Sequence, residues 1–191
     1  MLHSFNGKLD FSRGKREATD IETIKAMLPG CTRVEKTSEK TDRQGIDYIA
    51  YLRRGAEIFI DAKTREAGAS NYWKHGEPEI PLEIWSIRPG GKYGTPEEQK
   101  KTGWTLCEQS LVDLILFTFD PQDSDDAFLI SFQLLRAAFV KHFYTWSRMY
   151  DRKTQESHNN GSRWESECVF VPINVVLNAI TDTSCGKLVA A

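Results

Sequence analysis

Two short runs rich in β-branched and aromatic residues, Ile46 to Leu52 (IDYIAYL) and Glu57 to Lys63 (EIFIDAK), are separated only by Arg53-Arg54-Gly55-Ala56. Runs of this kind around a glycine-containing tetrapeptide predict a β-hairpin. The hairpin constrains side chains as well as backbone. With its turn at Arg54 and Gly55, Asp47 comes opposite Asp61 or one step from it, and directly opposed residues have Cβ atoms roughly 4.5–5.5 Å apart. Because side chains alternate along a strand, Lys63 shares a face with Asp61, about 7 Å further on and within reach of its four-carbon stem. The pattern Asp-x-Lys therefore sets an acid beside an ammonium, with a second acid across the hairpin.

The segment before the hairpin adds a third acid. Lys15 to Leu28 carries Ile21, Ile24 and Leu28 at helical spacing and stops at Pro29-Gly30, which predicts an amphipathic helix. At about 100° per residue, Glu17 continues the apolar stripe, whereas Glu22 is turned away from it. Glu17 is thereby expected to point toward the edge of the sheet that holds the hairpin acids. Carboxylates at about 4 Å repel by roughly 4 kcal/mol per pair at an effective dielectric of about 20. A hard divalent cation such as Mg²⁺ or Mn²⁺ removes that repulsion and suits oxygen ligands. A lysine beside such a cation can orient or deprotonate a water, or steady charge on a phosphate.

These residues resemble the PD-(D/E)XK nuclease superfamily: Glu17 in a first helix, Gly45-Ile46-Asp47 opening one strand, and Ile60-Asp61-Ala62-Lys63 closing the next. The motif match spans about Lys15 to Lys63, with Val112 to Phe119 (VDLILFTF) similar only as a core strand. Ile46 stands where the superfamily pattern has proline. The resemblance implies a restriction endonuclease-like α/β core, a central mixed sheet of four or five strands flanked by helices. It also implies that Asp47 and Asp61 hold Mg²⁺ or Mn²⁺, that Glu17 is an auxiliary metal ligand and that Lys63 assists the water. The expected substrate is nucleic acid, DNA before RNA. Many relatives are homodimers, and a small nuclease of this kind suits a phage or mobile element.

Outside the hairpin, Arg33 to Lys40 begins a strand, and Thr41 to Gly45 is a turn. Leu82 to Ile87 (LEIWSI) is a strand expected beside the hairpin, which makes Glu83 either a further ligand or a salt-bridge partner. Pro96 to Ser110 holds a short helix. Phe128 to Tyr150, with Leu134, Leu135, Ala138, Phe139 and Phe143, forms one long helix or two short ones. Lys153 to Arg163 is a polar loop, Cys168 to Val171 a short strand, and Pro172 starts a helix to about Ile180. Loops 64–81 and 153–163 are the expected places for base readout.

Other features weigh less. His75, with Trp73 and Lys74, offers stacking and charge to a nucleic acid on an exposed loop. His142 in an apolar helix reads as a core residue. Gly90-Gly91-Lys92-Tyr93-Gly94 lacks the spacing of a phosphate loop. Cys31, Cys107, Cys168 and Cys185 form no CxxC pair, which argues against zinc and for reduced thiols in a cytoplasmic protein. With 191 residues, 40% of them apolar, the chain is expected to form one domain, residues 1–191, around a single core. A net charge of −2 excludes a protein that coats polyanions non-specifically, so phosphate contacts must be local. The N-terminus, MLHSFNGKLDFSRGKRE, has no continuous apolar h-region, and no run reaches the roughly 18 apolar residues of a membrane span, so neither secretion nor insertion is expected.

Two other functional classes fit parts of the pattern. One is a nuclease fold without activity, a binding or inhibitor protein that blocks a partner, for which the acidic run Asp120 to Asp126 offers a docking surface. The other is a metal-dependent enzyme acting on a small phosphate compound.

Overall fold

A computed structural model of the chain describes residues 5–38, 45–65, 68–87, 100–159 and 162–188. The chain divides into two compact units, Met1–Ala67 with Leu111–Ser131, and Gly68–Ser110 with Phe132–Ala191.

The first unit is a helix on a mixed five-stranded sheet, the architecture of an α/β protein. Helix α1 (Phe5–Met27) is followed by strands β1 (Cys31–Lys36), β2 (Tyr48–Leu52) and β3 (Glu57–Arg65). The predicted hairpin is present: β2 and β3 pair antiparallel, with Tyr48 opposite Ile60 and Tyr51 opposite Glu57. Gly55 supplies the positive φ, 80°, that the connection needs. Two strands from later in the chain, β6 (Leu114–Phe119) and β7 (Ala127–Ser131), complete the sheet in the order β1-β2-β3-β6-β7. Only β3 and β6 run parallel; Asp113 pins their register, its N–H donating to the Phe59 carbonyl and its Oδ2 accepting from the Phe59 N–H, both at 2.8 Å. On one face of this sheet Tyr48, Ala50, Ile60 and Leu116 form a core with Ile24 of α1 and Val34 of β1. Because strand side chains alternate, Asp61 and Lys63 project from the other face.

The second unit holds an antiparallel four-stranded sheet and two helices. Its strands β4 (Glu79–Ile87), β5 (Lys100–Thr102), β8 (Arg152–Asn159) and β9 (Ser162–Pro172) lie in the order β5-β4-β9-β8. Helices α2 (Phe132–Met149) and α3 (Ile173–Leu188) pack on each other and on β9. Phe132, Leu135, Ala138, Phe139 and Trp146 are the buried face of α2.

Several expectations are overturned by this topology. The strand with Glu83 does not join the hairpin sheet; it pairs with β5 and β9, because strand partners are chosen by long-range packing that local pattern does not encode. Lys153 to Arg163 is no loop: β8 and β9 pair from Arg152↔Val169 to Asn159↔Ser162, so a polar run is held extended by its ladder. Pro96 to Ser110 has no α-helix among its described residues, but β5 and a single 3₁₀ turn, Trp104–Leu106. Phe128 to Ser131 pairs with β6 instead of opening the helix, which starts at Phe132. The turn expected over Thr41 to Gly45 and the Gly90 to Gly94 segment fall outside the described residues, Gly45 excepted. No described helix is long and apolar enough to cross a membrane.

Candidate active site

Strand β3 carries the two central residues. Asp61 is buried, 5% exposed, and registered beside Ile115 of β6, while Lys63 is registered beside buried Phe117. The lysine stem can run along this apolar surface and keep its head toward water. The Lys63 ammonium donates to Oδ1 of Asp61 at 2.7 Å. A carboxylate this buried would be costly alone, and the ammonium compensates it.

Asp47 arrives from the start of β2. Its N–H donates to the Ile60 carbonyl at 2.9 Å, continuing the hairpin one step past Tyr48↔Ile60 and so bringing Asp47 across from Asp61. Oδ2 of Asp47 accepts the Ala62 N–H at 2.8 Å. Thr37 fixes the same point from the other side, its N–H donating to the Asp47 carbonyl at 2.8 Å. Burial pushes the Asp47 carboxyl above the ordinary carboxylate range; the Ala62 N–H opposes this, and the neighbouring Asp61 carboxylate adds to it. The hairpin thus brings Asp47, Asp61 and Lys63 into one electrostatic cluster.

Glu17 is placed elsewhere. Its Oε2 accepts from the Lys36 ammonium at 3.1 Å, in a half-exposed pair between α1 and β1. Helix α1 covers the sheet face opposite Asp61, which is why its stripe does not carry Glu17 to the pair. The helix instead presents Asp20, which the stripe alone did not single out. Asp20 is 4% exposed and its Oδ2 accepts from the Tyr48 hydroxyl at 2.9 Å. Burial pushes its carboxyl up, with the Tyr48 hydrogen bond and the Arg16 charge opposing and the Asp47 charge reinforcing. The same burial, together with the Asp20 charge, holds the Tyr48 hydroxyl protonated. A signal was available: Asp20 lies four residues before the fully buried Ile24, on its face of the helix.

Among the described residues, no three His, Cys, Asp or Glu side chains converge as a group able to hold a metal. The cluster on the hairpin offers two carboxylates, Asp47 and Asp61. That set fits Mg²⁺ or Mn²⁺, which bind through one or two carboxylates and keep several waters for exchange with substrate oxygens.

Residues of the second unit have structural partners. Glu83, 8% exposed, accepts the Trp104 N–H at 2.9 Å and the Ser166 hydroxyl at 2.5 Å. His75 packs edge-on against Tyr150, ring centroids 5.8 Å apart. His142 stacks on Trp146 at 5.3 Å. Cys31, Cys107 and Cys168 form no disulfide among the described residues.

The fold and cluster define an α/β protein with a paired-carboxylate and lysine site on a mixed sheet. No protein-family model, no curated protein and no solved structure matches the chain.

Proposed function

We propose that this chain is a divalent-metal-dependent nuclease with a restriction endonuclease-like core, hydrolysing phosphodiester bonds in nucleic acid, DNA before RNA. The observation that carries the reading is the hairpin register that sets Asp47 against Asp61 with Lys63 on Oδ1 of Asp61. Asp47 and Asp61 are the residues that would hold Mg²⁺ or Mn²⁺, and the bound ion would supply Lewis-acid polarisation of the scissile phosphate and an acidified water. Lys63, engaged as an ammonium with Asp61, would orient a water and offset charge on the phosphate oxygens; the water oxygen bonds to phosphorus and loses a proton to solvent, and the ester P–O bond breaks with its oxygen taking a proton from solvent. Asp61 fixes the ammonium, and the Ala62 N–H fixes Asp47.

One observation favours a second reading. Glu17 is committed to Lys36, so the cluster lacks the third acid of the resemblance, as it would in a nuclease-fold binding or inhibitor protein. The deciding experiment is a Mg²⁺ or Mn²⁺ titration against labelled single- and double-stranded DNA and RNA, with wild type beside Asp61→Asn. Metal-dependent cleavage lost in the variant supports the nuclease; binding without cleavage across the panel supports the inhibitor.

A further inference from the structure

Helix α2 is the most lopsided element in the chain. Its eighteen residues, FQLLRAAFVKHFYTWSRM, contain Arg136, Lys141 and Arg148 and no acid, in a protein of net charge −2. Arg136 is neutralised by Glu108 at 2.6 Å, whereas no salt bridge among the described residues involves Lys141 or Arg148. Both are exposed. At about 100° per residue they lie within roughly 20° of each other, with Tyr144 about 60° from Lys141 on the same arc. Tyr144 is 78% exposed; of the five exposed large hydrophobics among the described residues, Val140, Tyr144 and Met149 are on this helix.

We infer that the Lys141-Tyr144-Arg148 face of α2 binds a single-stranded stretch of nucleic acid, the two cations taking phosphates and the tyrosine ring stacking on an unpaired base. The inference rests on the nuclease reading for the identity of the polyanion. A rise of 1.5 Å per residue separates Lys141 from Arg148 by about 10.5 Å along the axis, with Tyr144 between them. An aromatic ring held out between two cations suits a base between two phosphates, since stacking needs no particular sequence. A second copy of the chain fits the face poorly, because a two-fold contact would set the Lys141 and Arg148 cations of one copy against those of the other.

The test is fluorescence anisotropy of the full chain in EDTA, with no cleavage, on labelled fifteen-residue oligothymidylate, oligouridylate and a duplex of equal length. Tyr144→Ala should weaken single-strand binding by about tenfold and Tyr144→Phe should retain it. Lys141→Ala with Arg148→Ala should lower the slope of log affinity against log salt by about 1.4, that is about 0.7 for each phosphate no longer neutralised. Arg53→Ala with Arg54→Ala, the same change of charge at the hairpin turn, should leave it unchanged. The inference is overturned if the duplex binds as tightly and Tyr144→Ala is silent, or if the hairpin-turn control lowers the slope equally. It is also overturned if polyglutamate binds in place of the oligonucleotides, or if Tyr144→Ala acts by dissolving a dimer in sedimentation. Binding is read in EDTA, where no cleavage takes place, so failure here and failure of the nuclease reading are told apart.

Discussion

The Lys63 ammonium reaches Oδ1 of Asp61 at 2.7 Å, and the two differ in exposure, 35% for the lysine side chain and 7% for the aspartate. The carboxylate is buried and the ammonium is partly exposed. Asp61→Asn should therefore weaken Mn²⁺ binding in calorimetry and abolish cleavage while the fold survives, since volume is unchanged and repulsion with Asp47 is relieved. Lys63→Ala should keep most of the metal affinity and lose about 10²–10³ in rate, the scale for removing one donor to a developing oxyanion. If Asp61→Asn binds Mn²⁺ like wild type, or either variant cuts normally, the pair is only an ion pair.

Asp47 makes stability depend on pH in a stated direction. Its carboxyl is raised above the ordinary value of 3.8, so the folded state holds the proton more tightly than the unfolded chain. Ionising it costs stability; the loss is complete above the folded pKa and vanishes as pH falls through that value toward the ordinary one. Asp20 acts with the same sign. Asp47→Asn should be more stable than wild type at neutral pH in EDTA, with a flatter stability profile through weak acid. Added Mg²⁺ should raise the melting temperature of wild type and not of the variant. Equal urea midpoints for the two proteins from weak acid to neutral pH would show that Asp47 carries no such strain.

The hairpin and its acid register were legible because both are local: a turn of four residues and a period of two fix Asp47 against Asp61 without reference to the rest of the chain. Sheet membership was not. LEIWSI reads as a strand from its composition, yet nothing in it says that it pairs with β9, far along the chain, and not with β3. RKTQESHN has the composition of a loop, and only its ladder with β9 makes it a strand. The helix stripe was read with the right period, yet Glu17 pairs with Lys36 and Asp20 meets the buried tyrosine, since periodicity gives a face and the sheet decides which turn of that face it meets.

That tyrosine gives a test of Asp20. Tyr48 is 3% exposed and its hydroxyl donates to an aspartate that is 4% exposed. Tyr48→Phe keeps the ring in the core and leaves Asp20 without its donor, a loss of about 1–3 kcal/mol. The denaturant midpoint should fall with no change in m-value. The double variant Tyr48→Phe with Asp20→Leu should recover part of the loss, because an apolar pair leaves nothing buried and unsatisfied. A Tyr48→Phe protein as stable as wild type would mean that water replaces the hydroxyl.

In the second unit the sharpest constraint is a glycine with ordinary torsions. Gly103 has φ −64° and ψ 160°, open to any residue, so its requirement is one of space. A Cβ there would lie 2.5 Å from the Glu83 carbonyl oxygen and 2.7 Å from the Glu83 Cγ. The close approach is made by two hydrogen bonds, Gly103 N–H to the Ile84 carbonyl at 2.8 Å and Trp104 N–H to Oε2 of Glu83 at 2.9 Å. Gly103→Ala must push the turn off β4, weakening both bonds and loosening the shell of a buried carboxylate. The expected loss is about 1–3 kcal/mol from overpacking, read as a lower urea midpoint. Gly55 is the opposite case, with φ 80° and nothing within 4 Å of its Cβ position. Asparagine tolerates that conformation, so Gly55→Asn should be nearly neutral and Gly103→Asn worse than Gly103→Ala. If Gly103→Asn proves the milder of the two asparagine variants, the packing against Glu83 is not what holds the Trp104 turn on β4.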